Sequence, residues 1–156
     1  MLVDNTSGVL SRVAGLFSRR GYNIDSFSSG VTADPRYTRI TIVATGDEQI
    51  LEQIEKQLSK FVEVISIEHC DSSSTCQRET ALIKVKAAGE NRGVIIETCS
   101  IYRAHIVDVS ENTLIVEATG SEEKISSLKR LLEPYGILEF LKSGLIAMDR
   151  GEKVMR

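Results

Sequence analysis

Tryptophan is absent from the 156-residue chain, and four tyrosines and four phenylalanines are its only other large aromatics. Aromatics are only 5% of the chain, and the aromatic pattern of an RNA-binding sheet is missing. Charge of one sign is also lacking: the net charge is -3 and the sequence pI about 5.5, which excludes bulk attraction to nucleic acid or to an anionic membrane. No apolar run approaches the ~20 residues of a spanning helix, and no signal-peptide pattern opens the chain, so the cytoplasm is the expected location. The three cysteines, Cys70, Cys76 and Cys99, form an odd set without metal-type pairing, which fits a reducing compartment better than a disulfide framework. His69 and His105 are isolated, fit no standard ligand spacing, and read as strand-end residues, so no metal site is expected. The phosphate loop G-x-x-x-x-G-K-[ST], the G-x-G-x-x-G fingerprint and the G-x-S-x-G elbow are all missing. Glu52, Glu55, Glu122 and Glu123 read as solvated helix faces, and no active site is expected.

What is present is a folded core's worth of apolar residues, 42% of the chain, enough for one ordinary domain or two small ones. If a strand precedes the first turn, only Leu2 and Val3 of it follow Met1, against a usual ~5 residues, which predicts a late start or a trimmed chain. The turn Asp4-Asn5-Thr6-Ser7-Gly8 then leads into a helix ending at Arg20. Val9, Leu10, Val13, Leu16 and Phe17 form its apolar stripe, Ser7 is the predicted N-cap, and Gly21 is placed at C′. Gly15 in mid-helix costs about 1 kcal/mol relative to Ala, which predicts close packing against a neighbour. Tyr22 to Thr32 reads as a strand, Ala33 to Arg36 as a turn, and Arg39 to Thr45 as the second arm of a hairpin. Gly46 and Asp47 open a helix that buries Ile50, Leu51, Ile54 and Leu58, and Val62 to Ile67 supplies another strand.

This order, β-α-β-β-α-β, predicts a ferredoxin-like sandwich with both helices on one sheet face and the other face or edge left for a partner. Asp71 to Gln77 is polar and aperiodic and reads as a linker. The pattern then recurs. A strand through Ala81, Ile83, Val85 and Ala87 leads to the turn Gly89-Glu90-Asn91-Arg92-Gly93 and a helix carrying Ile95, Ile96, Cys99 and Tyr102. A hairpin over His105 to Thr119 and a helix with Ile125, Leu128, Leu131 and Leu132 follow, and Ile137 to Met148 closes the unit. Ala44-Thr45-Gly46 with Glu48 reappears as Ala118-Thr119-Gly120 with Glu122, an offset of 74 residues. The predicted fold is therefore α+β: two tandem ferredoxin-like βαββαβ domains, residues 1–70 and 78–156, joined by a linker over 71–77.

The turn before the first helix has the chemistry of a receptor for a small amino acid. Helix-start N–H groups and the helix dipole favour a carboxylate, and Asn side chains both donate and accept. Gly8 lets the backbone approach a ligand, so a larger residue is expected to obstruct it. The same pattern is also that of a plain capping loop, and Asn23 that of an edge-strand polar residue.

The runs DNTSGVLSRVAGLFSRRGYNIDSFSSG and TRITIVATGDEQILEQIEKQLSKFVEVISIE, with the closing RGEKVMR, resemble the small regulatory subunits of acetolactate synthase, whose first domain is an ACT domain. The resemblance covers essentially the whole chain. It implies a non-catalytic partner of a large thiamine-diphosphate enzyme of branched-chain amino acid synthesis, which it activates and makes sensitive to feedback inhibition by valine or another branched-chain amino acid. It implies no cofactor in this chain, with thiamine diphosphate, Mg and FAD in the catalytic subunit, and a homodimer through ACT domains with the effector at their interface. Carried over by position, Asn5, Gly8, Val9, Leu10, Asn23 and Ile24 are the expected effector contacts, with Ser7 and Ser11 behind them. Tyr37 and Arg39 in the hairpin are exposed candidates for the surface that meets the large subunit, with ordinary solvent-facing residues as the alternative. The second copy lacks the Asn-x-x-Gly turn and is expected not to bind the same ligand in the same way, serving coupling or assembly instead. A free-standing ACT sensor acting on another enzyme or a transcription factor is the alternative.

Overall fold

The computed structural model describes residues 1–155, so Arg156 of the closing motif lies outside the described residues. The chain divides into two compact units, one of residues 1–76 together with those from Leu145 onward, the other of residues 77–144.

The first unit runs β1 (Leu2–Asp4), α1 (Val9–Arg20), β2 (Ser26–Val31), β3 (Tyr37–Val43), α2 (Glu48–Leu58) and β4 (Val64–Ser66). Its sheet has the order β2-β3-β1-β4 with every pairing antiparallel, which is the ferredoxin-like arrangement. In the central pair Leu2 lies opposite Arg39, Val3 opposite Thr38 and Asp4 opposite Tyr37. Val3 and Ile40 from the sheet, Val9, Val13, Leu16 and Phe17 from α1, and Ile54 and Leu58 from α2 form one buried cluster. Leu10, expected in the stripe of α1, is 46% exposed. One residue on from Val9 is about 100° around the helix, which carries Leu10 off the buried face.

Gly21 ends α1 in the left-handed region, with φ 68°. Its N–H donates to Ser18 O and that of Tyr22 to Phe17 O at 3.0 Å, a Schellman closure. The Tyr22 ring meets Phe17 edge to face with centroids 6.2 Å apart, so the apolar contact that accompanies this motif is present. Gly15 does not pack as expected, because a Cβ there would meet nothing within 4 Å in the chain. β2 is shorter than predicted. Asn23 Nδ2 donates to Asp25 Oδ1, and Asp25 Oδ2 accepts from Thr45 Oγ1 at 2.6 Å, which keeps Tyr22 to Asp25 in a loop.

The second unit contains β5 (Thr75–Lys86) from Gln77 on, α3 (Asn91–Ile101), β6 (His105–Val109), β7 (Thr113–Gly120), α4 (Glu122–Leu132), a 3₁₀ turn (Glu133–Tyr135) and β8 (Ile137–Lys142). Its strand order, β6-β7-β5-β8, repeats that of the first unit. Ala81, Ile83, Val85, Leu114, Val116, Ile95, Ile125, Leu128 and Leu132 are buried together. The repeated Ala-Thr-Gly has a local cause. Asp47 and Ser121 cap α2 and α4 by accepting from the N–H groups of Ile50 and Lys124. A Cβ on Gly46 would lie 2.8 Å from Ile50 Cγ2, and one on Gly120 2.4 Å from Lys124 Cδ, so glycine clears the side chain of the first turn.

Two segments depart from the sequence reading. The expected linker is a turn at Asp71 to Ser74, where the Asp71 carboxylate accepts from the Ser73 N–H and hydroxyl, and Thr75 to Gln77 already belong to β5. These bonds hold the Asp71 carboxyl below the ordinary carboxylate range. The expected closing element breaks after Lys142, and a separate strand, β9 (Ile146–Asp149), pairs with β5. Leu145 accepts from Ser28 Oγ at 2.6 Å and donates to Ser26 Oγ at 2.9 Å. Since Phe27 packs into the core, Ser26 and Ser28 are on the opposite sheet face, which receives Leu145 at these two serines.

Two features of the second unit set its stability. Glu79 is buried, with Oε2 3.0 Å from Lys142 Nζ and Oε1 without a hydrogen-bond partner. That contact, through its hydrogen bond, raises the Lys142 pKa above the ordinary 10.5. Removing Lys142 strands a carboxylate in the interior, and because the lysine is 33% exposed the cost is below that of a fully buried pair. Lys142→Ala is expected to lower unfolding free energy by about 2 kcal/mol in urea titrations. Because the amine's pKa is raised in the folded state, the ion pair's contribution is fully present at neutral pH and fades as pH rises through that raised value. Arg103 takes the left-handed place in the closure of α3 that Gly21 takes in that of α1, with φ 49°, and the Ala104 N–H closes on Cys99 O at 2.8 Å. A side chain in this region is strained, so Arg103→Gly is expected to stabilise the protein by about 0.5–1 kcal/mol in the same titration.

Candidate functional site

The end of β1 lies opposite the start of β3, so the turn at residues 5–8 meets the hairpin tip between β2 and β3. Asn5 takes three bonds from that tip. Its N–H donates to Arg36 O at 2.7 Å, its Nδ2 to Pro35 O at 2.9 Å, and its Oδ1 accepts from Thr38 Oγ1 at 3.0 Å. The tip is itself bonded, since the Arg36 guanidinium makes three hydrogen bonds to the two carboxylate oxygens of Asp34 and the Arg36 N–H adds a fourth. These bonds hold the Asp34 carboxyl below its ordinary range.

Gly8, not Ser7, is the N-cap of α1. It has φ 92° and ψ -13°, and no side chain caps the helix. The first intrahelical bond runs from the Arg12 N–H to Gly8 O at 3.0 Å, which leaves the N–H groups of Val9, Leu10 and Ser11 ahead of it. No acidic side chain lies in the first turn, while Arg19 and Arg20 occupy the last. The helix start is thus a cluster of uncapped donors at the positive end of the dipole, suited to an anionic group. Arg12 pairs with Glu63, placing its charge toward β4.

Asn5, Ser7, Gly8, Val9, Leu10 and Ser11 are brought together in this way. Asn23 and Ile24 are not. They precede β2, whose first residue pairs with Val43 at the far end of β3, and Asp25 N–H bonds Val43 O at 2.9 Å. Asn5 is tied to the Tyr37 end of the same strand. Six residues of strand separate the two ends, about 20 Å at ~3.4 Å per residue. Ile24 packs half-buried against the core. Tyr37 and Arg39, expected as exposed, are both half-buried, with the Arg36 guanidinium 5.3 Å from the Tyr37 ring centroid. Reading the sequence missed Thr38, Pro35 and Arg36 as neighbours of the turn, because they are distant along the chain and only the β1–β3 register brings them close.

In the second unit a cation fills the equivalent place. Arg92 Nε donates to Ala87 O at 3.0 Å, and Nη2 donates to Ser110 O and Glu111 O, stitching the helix start to its hairpin tip. Among the described residues no group of three or more His, Cys, Asp or Glu side chains converges, and no helix is long and apolar enough to cross a membrane. His105 opens β6, and His69 Nε2 lies 2.7 Å from Glu55 Oε2.

Residues 1–66 match the family model for the ACT domain of acetohydroxyacid synthase small subunits, and residues 78–151 match that for the small subunit of acetolactate synthase. The chain belongs to the acetolactate synthase small-subunit family. It is 48% identical to a probable acetolactate synthase small subunit of Archaeoglobus fulgidus, covering 98% of this chain and 96% of that one. It is 47% identical to the small subunit of Mycolicibacterium smegmatis, over 98% of this chain and 90% of the other. The crystal structure of the acetolactate synthase small subunit from Thermotoga maritima superposes with a TM-score of 0.88 at 38% identity, covering 98% and 96% of the two chains. As a family member the protein is an acetolactate synthase regulatory small subunit with an ACT domain.

The conformation of Gly8 predicts the response to substitution in this ACT domain. A Cβ there would meet nothing within 4 Å in the chain, so the methyl of an alanine has room. The left-handed φ remains costly. Gly8→Ala is expected to lower stability by about 1 kcal/mol, measured by chemical denaturation without ligand.

Proposed function

We propose that this small subunit is non-catalytic, activates a large thiamine-diphosphate subunit of acetolactate synthase, and confers feedback inhibition by valine or another branched-chain amino acid. It acts in the synthesis of valine, leucine and isoleucine. The cofactors, thiamine diphosphate, Mg and FAD, belong to the large subunit, and the location is the cytoplasm. The single observation that carries the regulatory reading is the uncapped start of α1 beside an amide-bearing turn. Donors for a carboxylate stand there next to Asn5, which both donates and accepts.

The effector contacts are Asn5, Gly8, Val9 and Leu10 from one copy of the ACT domain and Asn23 and Ile24 from a second copy. Opposite ends of β3 within one chain are too far apart to touch one amino acid of ordinary size. A homodimer that sets the turn of one copy against the α1–β2 loop of the other makes the pocket complete. Ser7 and Ser11 support the turn from behind. Effector binding then favours one dimer arrangement, and the large subunit responds to that arrangement only to the extent that the effector prefers it.

The test is complementation. Valine is titrated calorimetrically into full-length wild type, Asn5→Ala, Asn23→Ala and a mixed dimer of the two variants, and each is assayed with its large subunit for inhibition. Each variant alone is expected to bind poorly, while the mixed dimer recovers half the sites at wild-type affinity, because one of its two pockets carries both asparagines. Wild-type affinity in both single variants overturns the site, and recovery of a transcription factor in place of a large thiamine-diphosphate enzyme in a pull-down overturns the function.

A further inference from the structure

The hairpin tip that grips Asn5 does more than anchor the chain. Thr32 Oγ1 donates to Asp34 O at 2.8 Å, the Tyr37 N–H bonds Asp34 O at 3.0 Å, and Arg36 clamps the Asp34 carboxylate, so the tip is bonded within itself before it touches the turn. From this frame, two contacts of opposite polarity reach the Asn5 amide. Pro35 O accepts from Nδ2, and the Thr38 hydroxyl donates to Oδ1. A flipped amide would set Oδ1 against Pro35 O with no hydrogen between them, so the contacts admit one orientation only. One N–H and one lone pair of the amide are then left over, each on a known side.

Thr38 itself is 7% exposed, lies on β3 opposite Val3, and is too deeply placed to meet a ligand in the turn. We infer that Thr38 is a positioning residue for the effector: Pro35 O sets which way the Asn5 amide faces, and the buried Thr38 hydroxyl, by donating to Oδ1, holds the amide in that place so that its free donor and acceptor meet the zwitterion. The inference rests on the effector reading above and deepens it, because a zwitterion bound at the helix start must find donor and acceptor on the correct sides. Without the hydroxyl the amide is held by a single side-chain bond, and part of its ordering must be supplied on binding.

Thr38→Val keeps the shape and deletes the hydroxyl, whereas Thr38→Ser keeps the hydroxyl and deletes a methyl. Valine, leucine and isoleucine are titrated separately into the full-length wild type and both variants by calorimetry. Inhibition of the complex with the large subunit is measured in parallel, and urea titration confirms that each sample is folded. Thr38→Val is expected to weaken binding about fivefold, the value of one hydrogen bond, and to raise the half-inhibitory concentration equally. Thr38→Ser is expected to bind like wild type. If Thr38→Val does not fold, Thr38→Cys, a weaker donor of similar size, replaces it with the same expected direction. Wild-type affinity in the variant without the hydroxyl overturns the inference, as does equal weakening in the serine variant, which would assign the effect to packing. Failure of the wild type to bind any of the three amino acids overturns the effector reading itself, and this inference with it.

Discussion

The antiparallel pairing of the first and third strands is the constraint from which the rest follows in both units. Because Asp4 lies opposite Tyr37 and Lys86 opposite Thr113, the chain leaving the first strand must pass the hairpin tip that precedes the third. A helix begins at that same point. Each unit therefore holds a helix start, a turn and a hairpin tip together at one end of the sheet, whatever residues occupy them. In the first unit Asn5 bridges turn and tip, and in the second Arg92 does.

The chemical difference between those bridges separates the two copies. Asn5 is neutral, satisfied on one side and open on the other, and it stands beside helix N–H groups that nothing caps. Arg92 brings a full positive charge and spends it on backbone carbonyls of its own unit. The same fold thus yields a receptor-like end in one copy and a self-occupied end in the other. Stabilising interactions are likewise divided: the first unit relies on a glycine-closed helix and a bonded hairpin, the second on a more completely buried apolar core that tolerates a buried Glu79 paired with a part-exposed Lys142 and a left-handed Arg103.

Much of the fold was legible because its causes are local. The 3.6-residue period of α1, the Asp47 and Ser121 caps, the Gly21 closure and the repeated Ala-Thr-Gly all act within a turn or two of chain, and each is found where the residue types place it. Most of the misreadings have a different cause. Ser7 has the right side chain for an N-cap, but Gly8 in the left-handed region starts the helix one residue later. Gly15 suggests close approach, yet no neighbour within its chain comes near. Tyr22 to Asp25 alternate like a strand until Asn23, Asp25 and Thr45 bond one another and hold a loop. Thr75 looks like linker beside three serines but is buried as the first residue of a long strand. For Gly15, the Tyr22 to Asp25 loop and Thr75 a partner distant in sequence, or its absence, decided the outcome, whereas Gly8 displaced Ser7 through its own backbone conformation.

By itself the sequence determined the two βαββαβ units, the family and the inequality of the two first turns, since periodicity, caps and motifs depend on residues close along the chain. Only the tertiary structure decided that Thr38, Pro35 and Arg36 hold Asn5, that Asn5 and Asn23 stand at opposite ends of one strand, and that the segment after Gly144 returns to the first unit. These depend on strand register and on contacts across dozens of residues, and a register is set by the sheet as a whole. The turn with its open helix start was visible from the residues alone; which groups aim it, and that one chain supplies only half of the proposed pocket, was not.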